Sequence, residues 1–285
     1  MPPSSSSPST QPAQPSAADL IAFGGFPHPH QQPEFTDPYA KRRWMLNHMA
    51  GAFRVFARKG FTEGAAGHIS IRDPVDPTTF WINPLGVHFG LLTAADMVHV
   101  DENGQVLADG NQHAVNTAGF MIHSALHRAR PDVDAACHTH STYGRAYSSF
   151  GRKLDMINQD VLQFYNVHTV YEGYGGVALE ADEGVHIAEA LGQTNKAAIL
   201  RNHGLLTVGK TVDEAAYLFT LMEKSCEVQF LADSLADKKG FKKFIIDEKE
   251  AQWTFDSTSD AEGLYTEFQP DFLYEVAHSN GQLEK

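Results

Sequence analysis

Cysteine is scarce. Cys137 and Cys226 are the only two in 285 residues, too few for a disulfide framework, and their surroundings resemble a buried strand and a helix, which fits a reducing compartment. Positive charge is scarce as well: 22 Lys and Arg stand against 35 Asp and Glu, a net charge of −13. With no basic cluster to grip a phosphate backbone, nucleic acid is excluded as a partner. No apolar run approaches the roughly 20 residues of a membrane span. The stretch from Met1 to Ala18 has no charged and apolar leader regions and none of the arginines of a mitochondrial presequence, so a cytoplasmic protein with no membrane partner is expected.

What is present divides into three parts. Residues 1–35 are rich in Pro, Ser, Gln and Gly and read as a disordered or loosely docked tail. Residues 36–240 carry the patterned sequence and are long enough for one large core. Residues 241–285 are a C-terminal extension with weak patterning and a candidate for packing at a subunit interface.

Within the middle part, Asp37-Pro38 starts a helix whose Met45, Met49, Phe53 and Phe56 share one face, with a stop at Gly60. Strands are expected at His68–Arg72, Thr79–Ile82 and Met97–Val100, the last pairing with Gln105–Leu107 through an Asn103-Gly104 turn. Asn116 or Thr117 caps a helix that ends before Pro131. Further strands are expected at 133–137, 168–171, 177–179, 198–200 and 205–208. A helix over 182–191 closes at Gly192, and the longest helix starts at Thr211, which has capping-box spacing to Glu214, and runs to about Leu235.

The sharpest chemical signal is Cys137-His138-Thr139-His140-Ser141. Residues i and i+2 of a strand point to one face, so this pair aims two imidazoles at one point, half of a four-coordinate metal site. Two surface histidines at a strand end would have the same spacing. His203, in a turn between two apolar strands and followed by Gly204, is a third candidate, although alone it is equally a simple turn histidine.

Four segments in order resemble the class II aldolase/adducin family, of the fuculose-phosphate aldolase type: Glu63-Gly-Ala-Ala-Gly-His-Ile-Ser-Ile-Arg72, Trp81-Ile-Asn-Pro-Leu-Gly86, Arg130-Pro-Asp-Val-Asp-Ala-Ala-Cys-His-Thr-His-Ser141 and Leu200-Arg-Asn-His-Gly-Leu-Leu-Thr-Val-Gly209. The resemblance spans about residues 39–236. It implies an α/β fold, a single three-layer α/β/α domain around a mainly antiparallel β-sheet, usually a homotetramer with active sites between subunits. It also implies one divalent ion per chain on His138, His140 and His203, zinc first, with iron or manganese as alternatives.

The sequence departs from that family where a Ser-Ser-Glu segment supplies an acid/base glutamate. Val115-Asn116-Thr117-Ala118-Gly119 has no carboxylate there. At positions that hold a substrate phosphate in the family, His68 replaces Asn, Leu85 replaces Ser or Thr, and Asn116 and Thr117 replace two serines. These departures argue against a sugar phosphate. They leave Tyr165 as the preferred proton carrier and Asp160 as a second candidate, each also readable as a core or turn residue. Gly64, Gly67, His68, Gly86, Asn116 and Thr117 are the candidate substrate contacts. His123 and His127 have metal-compatible helical spacing but read as helix-packing residues.

Three functions follow. The first is a metal-dependent lyase that cleaves or decarboxylates a carbonyl compound through an enolate. The second is an Fe(II) oxygenase, or oxidative decarboxylase, acting on a keto or hydroxy acid with the same histidines. The third is a non-catalytic adducin-like interaction domain.

Overall fold

The computed structural model describes residues 29–176 and 181–283. The chain begins its order with helix α1 (Pro38–Arg58), capped by Asp37, whose carboxylate accepts from the Tyr39 N–H. Strands β1 (His68–Arg72), β2 (Phe80–Ile82) and β3 (Val98–Val100) come next, then α2 (Thr117–Ala129), β4 (Ala135–Thr139), α3 (Thr142–Ser148) and β5 (His168–Tyr171). They are followed by α4 (Ala181–Leu191), β6 (Ala197–Leu200), β7 (Gly204–Gly209), α5 (Val212–Lys239), α6 (Glu248–Thr258) and α7 (Ala261–His278).

The seven strands form one sheet in the order β3-β2-β1-β4-β7-β6-β5. Every pairing is antiparallel except β5 with β6. Successive residues of a strand face opposite sides, and the core divides accordingly. Ile69, Ile71, Ala135, Cys137, Ile199 and Leu205 point to one side and pack under α1, α5 and α7. Ala136, Ala198, Leu200, Leu206 and Val208 point to the other, under α2 and α4. The result is the expected α/β/α sandwich around a mainly antiparallel sheet.

Several boundaries differ from the sequence expectation. The Asn103-Gly104 turn forms, and Asp101 accepts from the N–H groups of Asn103 and Gln105. Its return arm is only an isolated bridge, Val100 with Val106, so Gln105–Leu107 is not a strand. The fourth strand begins at Ala135, two residues late. The long helix does start from Thr211, whose hydroxyl accepts from the Glu214 N–H, but continues to Lys239 and ends on Gly240 in the left-handed region. The strand expected at 177–179 and most of the expected tail lie outside the described residues.

The C-terminal segment contains two helices that periodicity did not indicate. Leu264, Phe268 and Phe272 of α7 join the larger core, so this helix packs on its own chain. A buried polar knot ties it down: Asp213 of α5 accepts from Gln269 at 2.8 Å and pairs with His48 of α1 at 2.7 Å. Among the described residues, no helix is long and apolar enough to cross a membrane.

Candidate metal centre

The centre of the sheet brings the three histidines together. His138 is the penultimate residue of β4, and its side faces α2 and α4, like that of Ala136 two residues before. His140 stands one residue beyond the strand. His203 occupies the β6–β7 turn, where Asn202 takes a left-handed φ of 60° and the His203 N–H returns to the Leu200 carbonyl. Gly204 lets this turn approach β4, because a Cβ there would sit 2.8 Å from the Thr139 carbonyl oxygen. One ring nitrogen from each of His138, His140 and His203 lies within 4.8 Å of the other two.

The donor set suits a borderline divalent ion. His138 Nδ1 lies 2.8 Å from the Leu205 carbonyl oxygen and donates to it, leaving Nε2 as an unprotonated donor on the triad side. Burial lowers all three imidazole pKa values, that of His203 to about 4, and the neighbouring imidazoles add to the effect at His138 and His203. The neutral, ligating form is therefore the one present near pH 7.

Glu223 of α5 anchors the segment carrying His140. Its buried carboxylate accepts from the Ser141 hydroxyl at 2.5 Å, from the Tyr143 N–H at 2.8 Å and from the Gly144 N–H at 2.6 Å. It thus fills the N-terminal end of α3, where free N–H groups favour an anion. Sequence reasoning missed this residue: 82 positions separate it from Ser141, and nothing in its own helix distinguishes it.

The triad opens on a cavity of about 480 Å³. His68, Asn116 and Thr117 line it together with Leu85. Gly64, Gly67 and Gly86 all have positive φ and shape the loops that place Ala66 and Leu85 in the wall. Asn116 caps α2 by accepting from the Gly119 N–H at 3.0 Å, so the segment that carries the family glutamate is here a neutral helix start. Arg145, Tyr174 and Asn202 also line the cavity. Sequence reasoning did not single out Arg145, five positions beyond His140, and gave no task to Asn202, which precedes His203 in the turn motif.

Behind the triad lies a run of buried histidines. His68 pairs with His138 across β1 and β4, with their rings parallel within 14° and 5.9 Å apart. Gly119 makes room for it, since a Cβ would come within 2.4 Å of the ring. Neither nitrogen of His68 makes a good hydrogen bond among the described residues; Asn116 lies near enough to favour its charged form, but burial outweighs this and pushes its pKa down to about 3. His123 and His127 of α2 share the Ser70 hydroxyl at 2.6 and 2.8 Å, which accords with a packing role.

Asp160 and Tyr165 are not brought to the triad of their own chain. Asp160 opens and Tyr165 directly follows a short 3-10 helix, Asp160–Phe164, ahead of β5. Because β5 runs parallel to β6 with His168 beside Ala197, Tyr165 stands at the strand end opposite to that leading into His203. Asp160 is exposed, and its charge is felt by Tyr217 and Glu267. Neither lines the cavity.

The fold and the histidine site together define a class. The model of the Class II Aldolase and Adducin N-terminal domain matches residues 47–230, and the chain belongs to this class II aldolase/adducin family. It is 49% identical over 252 residues to the meiotically up-regulated gene 14 protein of Schizosaccharomyces pombe, covering 88% of this chain and 96% of that one. It is 47% identical over 206 residues to the 4-hydroxy-3-prenylphenylpyruvate oxygenase/4-hydroxy-3-prenylbenzoate synthase of Streptomyces roseochromogenus subsp. oscitans, covering 72% and 74%. Among solved structures, the L-fuculose 1-phosphate aldolase from Glaciozyma antarctica PI12 superposes with a TM-score of 0.80 at 40% identity, covering 90% and 97%.

Proposed function

We propose that this protein is a metal-dependent lyase that cleaves or decarboxylates a carbonyl compound other than a sugar phosphate. The observation that carries this reading is a three-histidine site opening on a cavity whose described lining contains no carboxylate. A divalent ion there, zinc first and iron or manganese otherwise, supplies a Lewis acid for a carbonyl oxygen. The chain's own residues orient the substrate. His68, Asn116 and Thr117 offer uncharged polar groups, and the loops of Gly64, Gly67 and Gly86 bring the backbone close to it. With no carboxylate at the head of α2, a proton must come from water or from another subunit. Asp160 and Tyr165 fill that role only across an interface, so a homotetramer belongs to the same proposal, as does a cytoplasmic setting.

A second reading is favoured by the Streptomyces relative, whose name pairs an arylpyruvate with a benzoate and calls the protein an oxygenase. The same three neutral imidazoles suit Fe(II), and the reaction would then be oxidative decarboxylation of a 2-oxo or hydroxy acid. A non-catalytic adducin-like module fits less well, because it has no need of three converging imidazoles.

Metal analysis of untagged protein purified without added metal, beside the variant His138→Ala/His140→Ala/His203→Ala, tests these readings. About one zinc or manganese per wild-type chain, absent from the variant, supports the lyase. Iron together with substrate-dependent oxygen uptake supports the oxygenase. No metal in either protein sinks both and leaves the interaction module.

A further inference from the structure

Charge within the cavity is one-sided. The described lining contains no Asp, Glu or Lys, and Arg145 is its one guanidinium. Its protein partner is Glu63, 3.4 Å away, with the two side chains 50% and 39% exposed. So exposed and long an ion pair contributes little and is readily exchanged for a better-placed anion. Arg145 projects from α3, whose N-terminal end Glu223 holds in place, and lines the same cavity as His140. A dication on three neutral ligands beside a guanidinium leaves a concentration of positive charge that the cavity lining does not neutralise. An anionic guest completes it.

The rest of the wall limits which anion fits. Leu85, Val115, Ala118 and Ile122 make much of the lining apolar. A phosphate dianion would meet one guanidinium and a leucine, whereas a carboxylate matches a single planar fork of N–H donors. An acid with its carboxylate and carbonyl on adjacent carbons can present both to Arg145 and the histidine triad at once. Its substituent then lies along the apolar wall.

We propose that the cavity takes 2-oxo monocarboxylates with an apolar substituent, and that Arg145 is the specificity-determining residue that binds the carboxylate. This rests on the metal-site reading above, from which the experiment separates it. Calorimetric titration of metal-loaded protein compares phenylpyruvate with phenylacetone, which has the same tail and no carboxylate, and with dihydroxyacetone phosphate. Metal content is measured on every sample, and the titrations are repeated on Arg145→Gln and on the metal-free protein.

The expected result is phenylpyruvate binding at least tenfold tighter than either other ligand. Arg145→Gln should weaken it at least tenfold, with metal content and phenylacetone binding unchanged. Tighter binding of the sugar phosphate, equal binding of acid and ketone, or no effect of Arg145→Gln overturns the proposal. If the protein loads no metal, the metal reading fails instead. Phenylpyruvate binding to the metal-free protein then supports the Arg145 assignment if Arg145→Gln weakens it and overturns it if not.

Discussion

The histidines at the edges of the sheet and those at its centre are buried alike and treated in opposite ways. On the edge strand β3, His99 has both nitrogens occupied, by Asp109 at 2.6 Å and Thr79 at 2.7 Å, and its ring stacks on Trp81. On the opposite edge, His168 donates to the Phe164 carbonyl at 2.7 Å and accepts from the Leu154 N–H at 3.1 Å. At the centre, His68 makes no good hydrogen bond through either nitrogen among the described residues. An unpartnered buried polar atom costs about 1–3 kcal/mol. Of these buried rings His68 alone lines the cavity, where a guest could complete its bonding.

The comparison breaks most visibly at the triad. His203→Ala should abolish stoichiometric metal, a loss larger than the roughly 10- to 100-fold that removal of an outer partner causes. The fold should survive because the turn backbone is retained. Dialysis against metal buffers with far-UV circular dichroism alongside checks both halves, and retention of one metal per chain would remove His203 from the site.

Glu223 tests whether the centre depends on support from outside it. Glu223→Gln keeps the shape but weakens three charge-assisted bonds to Ser141, Tyr143 and Gly144. His138 has its own ring bond to the Leu205 carbonyl, so the effect should fall on His140. We expect metal affinity to drop about 10-fold and the visible spectrum of the cobalt-substituted protein to change. A lower melting temperature with unchanged cobalt spectrum and affinity would reduce Glu223 to a structural cap.

His138 and His140 were legible because they sit two apart at the end of one strand, whereas the task of His203 and the sandwich were expected from the family resemblance of four ordered segments. Strands β4, β6 and β7 are buried on both faces and show no alternation. What was not legible is non-local. The return arm after Asn103-Gly104 has the turn chemistry but makes only one bridge, since the chain leaves toward the cap at Asn116 instead of extending the ladder. Helix α7 escaped notice because its apolar residues meet α1, more than 200 residues back in the chain, as well as the nearer α5, with no sharp amphipathic stripe. Glu223, Arg145 and the placement of Asp160 and Tyr165 depend on which strand ends share a side of the sheet. The parallel β5–β6 pair decides this, and no local pattern announces it.

Acid should separate folded from unfolded protein through these same rings. The folded-state pKa values of His168 and His203 are pushed down to about 4 by burial, against an ordinary value of about 6.5 in the unfolded chain. Between those values the unfolded state binds more protons than the folded one, so stability is fully present above about pH 6.5 and is lost as pH falls toward 4. Each such histidine contributes up to about 1.4 kcal/mol per pH unit in that window. Urea midpoints of the metal-free protein at pH 7.5, 6, 5 and 4 should fall steadily below pH 6.5. A flat profile would show that these rings are not held neutral.

The smallest expected effect isolates an edge histidine. His168→Phe leaves the Leu154 N–H and the Phe164 carbonyl without their ring partner, costing about 1–3 kcal/mol at pH 7.5. One titrating group also disappears, so the acid slope should become shallower between pH 6.5 and 4. Metal affinity should stay within twofold of wild type, because β5 lies beyond β6 and β7 from the His138 strand. Urea unfolding and metal titration of the same preparation decide the matter. A drop in metal affinity comparable to that of Glu223→Gln would mean that edge and centre are energetically one unit, and the division between partnered structural histidines and open functional ones would fail.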